Sequence, residues 1–131
     1  MYTASCLCQA VTFTITSPLT HARYCHCSKC RKFAGTAHAS WAIVDWSSIE
    51  LSADECSVNT FNSGGGLRSF CNQCGSPLWF RSLQDTHLVA IPLGVIDTGS
   101  VPKPNSHIWT SAMPKWSHIH DDLRQFTKNP E

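Results

Sequence analysis

Apolar and polar positions alternate over short stretches of this chain. Val11-Thr12-Phe13-Thr14-Ile15 is apolar at every second residue, the mark of a strand with one buried face. Residues 38–44, 57–61, 67–71, 78–81 and 87–93 read the same way. Turn formers separate them: Ser17-Pro18, Asp54-Glu55, Ser63-Gly64-Gly65-Gly66, Gly75-Ser76-Pro77 and Asp97-Thr98-Gly99-Ser100. Helical periodicity is nearly absent, and the best candidate is a short helix over 29–33 capped by Ser28. Strands this short and closely spaced predict an all-β fold of antiparallel sheets with little helix. From about residue 101 onward, Pro102, Pro104, Pro114 and Pro130 predict an extended tail wrapped over the sheets. No repeat or composition break divides residues 1–131, which read as a single domain.

Composition narrows the function classes. Ten Lys and Arg against nine Asp and Glu leave a net charge of +1, too balanced for a protein that grips nucleic-acid backbones. No apolar run approaches the roughly 20 residues that cross a bilayer. The start, Met1-Tyr2-Thr3-Ala4-Ser5-Cys6, has neither the basic nor the long apolar region of a secretory signal, so a cytoplasmic location is expected.

Cysteine is the outlier, with eight in 131 residues. Seven fall into tight groups: Cys6-Leu7-Cys8, Cys25-His26-Cys27-Ser28-Lys29-Cys30 and Cys71-Asn72-Gln73-Cys74. Disulfide frameworks join distant cysteines, whereas crowding at i+2 and i+3 suits convergence on one metal ion. In strands, i and i+2 share a face, so Cys6 with Cys8, and Cys25 with Cys27, aim their sulfurs together. Cys27-x2-Cys30 and Cys71-x2-Cys74 are knuckle spacings, and Gly75 suits the tight turn after Cys74. Cys25, Cys27 and Cys30 are too close to avoid sharing an ion. Cys71 and Cys74 need two further ligands, which Cys6 and Cys8 supply. The result is one closed four-thiolate site and one three-thiolate site with an open position, with zinc the expected ion and iron the alternative. Closure of the second site by Cys56, giving two structural ions, is the rival partition.

An open zinc position can take up the sulfur of a small thiol, remove its proton and hold it beside an electrophilic carbon. Lys29, Arg31 and Lys32 are candidates for offsetting the negative charge of such a centre and for meeting any carboxylate that the thiol ligand carries. Strand alternation turns His26 away from its cysteine neighbours. His118-Ile119-His120-Asp121-Asp122 reads as a solvated tail, and Gly64-Gly65-Gly66 as a hairpin loop.

Cys6-x-Cys8, Cys25-His26-Cys27-Ser28-x-Cys30-Arg31-Lys32, Phe70-Cys71-x2-Cys74-Gly75-Ser76-Pro77-Leu78, His107-Ile108-Trp109 and Trp116 together resemble the glutathione-dependent formaldehyde-activating family, grouped with centromere protein V. The resemblance implies an Mss4-like fold of antiparallel sheets, the β-tent. It also implies a structural zinc on Cys6, Cys8, Cys71 and Cys74 and a catalytic-type zinc on Cys25, Cys27 and Cys30. The activity it implies is that of a carbon–sulfur lyase, joining glutathione to formaldehyde as S-(hydroxymethyl)glutathione or performing a related step on another electrophile. It places His107 in the pocket as an acid or base, with Trp109 and Trp116 beside it. Gln9 stands where the family commonly has glycine, a departure expected to affect only the turn. Mss4-like folds also serve as binding modules and chaperones, so a non-enzymatic zinc scaffold is the alternative function.

Overall fold

The computed structural model describes residues 1–52 and 57–130; the Asp54-Glu55 turn and Cys56 lie outside the described residues. Two sheets organise the chain. The smaller has the order β10-β1-β2-β5, from β1 (Tyr2–Ser5), β2 (Thr12–Ile15), β5 (Ile49–Leu51) and β10 (Ile96–Thr98). The larger has the order β12-β11-β3-β4-β9-β8-β7-β6. Its strands are β3 (Ala22–Cys25), β4 (Ala39–Asp45), β6 (Val58–Asn62), β7 (Gly66–Cys71), β8 (Pro77–Ser82), β9 (Leu88–Pro92), β11 (Ser106–Ile108) and β12 (Arg124–Gln125). One helix, α1 (Ser28–Ala34), follows β3.

The expected antiparallel pairing holds through most of both sheets and fails at one edge. There β11 runs parallel to β3, with His107 opposite Tyr24 and Ile108 opposite Cys25, and β12 runs parallel to β11. The C-terminal stretch is therefore not merely draped over the sheets but supplies two strands to one of them. A long excursion from β3 to β11 permits this, because parallel neighbours need a crossover instead of a hairpin.

Alternation explains which face each residue takes. In β2, Phe13 and Ile15 are buried while Thr12 and Thr14 turn outward. Phe13, Ile15, Val44, Leu78, Val89 and Ile91 form the core between the sheets, where Phe13 meets Trp79 edge to face at 5.6 Å. A second cluster lies on the other face of the large sheet: Cys25, Cys30, Ala39, Trp41, Ala90 and Ile108, flanked by Phe33, Phe80 and Trp109. Neighbours in sequence, such as Trp41 and Ala42, or Ala90 and Ile91, part company between these clusters. The large sheet is thus covered on both faces, and the outer face carries the chemistry described next.

Candidate metal centres and cavity

Seven cysteines meet in two groups. The sulfurs of Cys6, Cys8, Cys71 and Cys74 all lie within 4.8 Å of one another, and so do those of Cys25, Cys27 and Cys30. Cys6 and Cys8 are 3.7 Å apart, and Cys8 and Cys71 are 3.8 Å apart. A tetrahedral ion with bonds of about 2.3 Å spaces its sulfurs about 3.8 Å apart, so the donors fit a thiolate-bound metal. Both clusters can hold metal ions.

The local routes to these clusters differ from the strand spacing expected for them. Cys6 and Cys8 lie in the turn after β1, where Gln9 N–H donates to the Cys6 carbonyl at 3.1 Å. Gln9 takes φ +63°, the left-handed region that favours glycine, which accounts for the residue it replaces. The second pair forms the knuckle read from its spacing: Gly75 takes φ +79° and its N–H donates to the Cys71 carbonyl at 2.8 Å. Cys25 ends β3, whereas Cys27 caps α1, its sulfur accepting from Cys30 N–H at 3.3 Å. The expected Ser28 cap is corrected by one residue; a thiolate performs the same task because it is an acceptor.

Protonation in the trio is shared. Hydrogen bonds from the Cys25 thiol, then the Cys30 thiol, pull Cys27 down to about 2. The bond to Cys27, followed by that to Cys30, pushes Cys25 up. A divalent ion bound there would displace the protons that the trio shares. In the other cluster the Ser76 hydroxyl, 3.1 Å from Cys74 sulfur, helps draw that thiol down to about 5.

Cys25, Cys27 and Cys30 line a cavity of about 460 Å³ on the outer face of the large sheet. Trp41, Phe80, Ile108 and Trp109 give it apolar walls, and Arg23, Arg68 and Asp85 charge it. No motif in the sequence marks Arg68. It is 5% exposed, both terminal nitrogens lie 3.9 Å from Cys30 sulfur, and Nε donates to Ser63 Oγ at 3.0 Å. Phe33 and Phe80 flank its guanidinium, with ring centres at 5.4 and 4.6 Å. Only its placement in a strand hints at such a role. A larger cavity, about 590 Å³, lies away from the trio and touches Cys6, Gln9, His38 and Asp97.

The other expected site residues scatter. Lys29 is exposed and donates to the Gly64 carbonyl at 2.9 Å, while Lys32 is exposed in the last turn of α1. Arg31 donates to the carbonyls of His26 and Ala112. Trp109 lines the cavity, with φ +57° and its indole N–H on Asn129 Oδ1 at 3.0 Å. Trp116 is exposed and lies outside the cavity wall.

His107 does not line the cavity either. Pairing with Tyr24 turns its ring to the opposite face, where it is buried. It bonds His26 Nε2 through Nδ1 at 2.8 Å and Asp121 through Nε2 at 3.0 Å. Since the carboxylate accepts, His107 Nε2–H donates, and His107 Nδ1 must accept from His26. Tyr24 and His38 complete this ring cluster. Burial, then the charges of His38 and His107, lowers His26 to about 4, and burial likewise lowers His38. The tail expectation is corrected at Asp121, which is tied to a buried histidine, while His118 and His120 are exposed.

The fold and site define a mostly β chain with two cysteine clusters among its described residues, one four-membered and one three-membered on a cavity, each able to hold a metal ion. Residues 1–112 match the family profile of the glutathione-dependent formaldehyde-activating enzyme, and the chain belongs to that family. A search of the curated proteins finds no match. A crystal structure of a Rhodobacter sphaeroides protein is similar in fold, with a TM-score of 0.62 and 19% identity over 75% of this chain and 90% of that one. Among the described residues, no helix is long and apolar enough to cross a membrane.

Proposed function

We propose that the chain is a zinc-dependent carbon–sulfur lyase that adds glutathione to an electrophilic small molecule, formaldehyde in the reaction for which the family is named, and also runs the reverse. One observation carries this reading: three cysteines with metal-ligand spacing line an apolar cavity, whereas the other cluster already has four donors. Zinc held by three thiolates supplies Lewis acidity that lowers the pKa of an incoming thiol.

The chain's own residues perform the rest. Trp41, Phe80 and Ile108 exclude water from one side of the sulfurs, and Arg68 opposes the negative charge gathered there. Addition forms the carbon–sulfur bond as the carbonyl π pair moves to oxygen, and the proton lost by the thiol ends on that oxygen. His107 lies behind the sheet, so this proton passes through solvent at the cavity mouth.

Metal analysis should find two zinc ions per chain, falling to one in Cys27→Ser. That variant should lose glutathione-dependent turnover of formaldehyde, aldehydes and enones. Undiminished turnover by the one-zinc variant would refute the assignment. A wild-type protein whose cobalt-substituted spectrum ignores millimolar glutathione would favour the scaffold alternative.

A further inference from the structure

The cavity contains two arginines, and the proposed activity gives a role to only one of them, Arg68. Arg68 is buried, and among the described residues it has no carboxylate partner. Burying a guanidinium without a counter-charge costs several kcal/mol, so its compensation must come from the sulfurs it faces. Among the described residues, its two terminal nitrogens meet one acceptor, the sulfur of Cys30, 3.9 Å from each.

Arg23 sits on the same face of β3 as Cys25, two residues away, and lines the same cavity. Two strand residues span about 7 Å. Among the described residues Arg23 likewise makes no ion pair, since Asp85, the acidic residue of the cavity, is engaged with His87 at 2.6 Å. A cation beside the sulfurs and a second one strand step away match a ligand that carries a thiolate and a carboxylate on one flexible backbone. Lys29 and Arg31 are bound to backbone carbonyls and do not line the cavity.

We propose that the cavity reads two negative charges on one ligand, Arg68 favouring its sulfur as thiolate and Arg23 binding its carboxylate. The inference rests on the reading that a thiol enters at Cys25, Cys27 and Cys30. It assigns substrate preference to two positioning residues, and it makes mercapto-carboxylates the ligand class.

The test is thiol binding to the cobalt-substituted protein, followed by the thiolate-to-metal absorption as pH varies. The probes are glutathione and its diethyl ester, which share a sulfur but differ in carboxylate charge. Wild type should bind glutathione about tenfold more tightly than the ester, the size expected of one charge-assisted contact. Arg23→Gln should erase most of that preference while leaving the ester's affinity within about twofold. Arg68→Met should weaken both probes alike, about tenfold, and raise the pH of half-binding by about one unit. Arg68→Lys should restore part of that shift, and it carries the test if the methionine variant does not fold. Preference retained in Arg23→Gln, or wild-type pH dependence in both Arg68 variants, overturns the proposal. Failure of wild type to bind either probe overturns the functional reading beneath it, an outcome separable from the other two.

Discussion

The two cysteine clusters use the same donor atom and differ in how much chain lies between donors. Cys8 and Cys71 are 63 residues apart and join the β1–β2 turn to the β7–β8 turn, one from each sheet. Cys25, Cys27 and Cys30 span a single strand-to-helix junction. An ion in the first cluster closes a long loop and locks sheet to sheet, so its binding energy is folding energy. An ion in the second closes almost nothing. The proposed function thus assigns equal chemistry to a staple and to a reagent, and chain separation is what tells the two apart.

The largest expected effect follows from that contrast. Cys71→Ser should abolish cooperative unfolding or lower stability by at least about 5 kcal/mol, since a structural thiolate ion contributes on the order of 10 kcal/mol. Cys27→Ser should cost less than about 2 kcal/mol. Denaturant unfolding of both variants checks this, and equal losses would erase the distinction.

Gly66→Ala sharpens the comparison on the cavity side. A Cβ there would collide with the Phe80 ring, and Phe80 flanks Arg68. The expected cost is about 1–3 kcal/mol from overpacking, with the metal content of the four-cysteine cluster unchanged. Denaturation together with metal analysis reads both quantities.

A smaller effect depends on pH and separates the cavity face from the histidine cluster behind it. His26 and His38 are held neutral in the fold, His26 to about 4 against an ordinary 6.5. Below about 6.5 the unfolded chain takes up protons that the folded chain refuses, so stability present above that pH falls as pH drops toward 4. Each group contributes at most about 1.4 kcal/mol per pH unit. His38→Asn at matched metal content should flatten the slope of stability against pH; an unchanged slope would remove His38 from the account.

The smallest expected effect is a gain. Gln9→Gly should raise stability by about 1 kcal/mol by relieving a left-handed backbone beside Cys8, without altering metal content. A thermal melt would register this as a shift of a few degrees, and a loss would show that the glutamine side chain matters more than the backbone.

Several strands were legible because alternation is local. The alternation predicts strands over 67–71 and 78–81, within a residue or two of β7 and β8. Strands of three or four residues, such as β5 and β10, left too short a pattern to detect. Cys27 displaced Ser28 as the helix cap because which of two adjacent acceptors faces the first turn depends on the path of the incoming strand. The Cys56 alternative stays outside the described residues.

What the sequence by itself determined was which neighbouring cysteines act together, Cys6 with Cys8, Cys25 with Cys27 and Cys30, and Cys71 with Cys74, because ligand spacing is set by a few consecutive backbone angles. Only the tertiary structure decided what surrounds them. It turned His107 away from the sulfurs through the parallel register of β11 on β3, and brought Arg68 to Cys30 across 38 residues. The face a side chain takes depends on its strand's partner and register, and those are settled only when the sheets form.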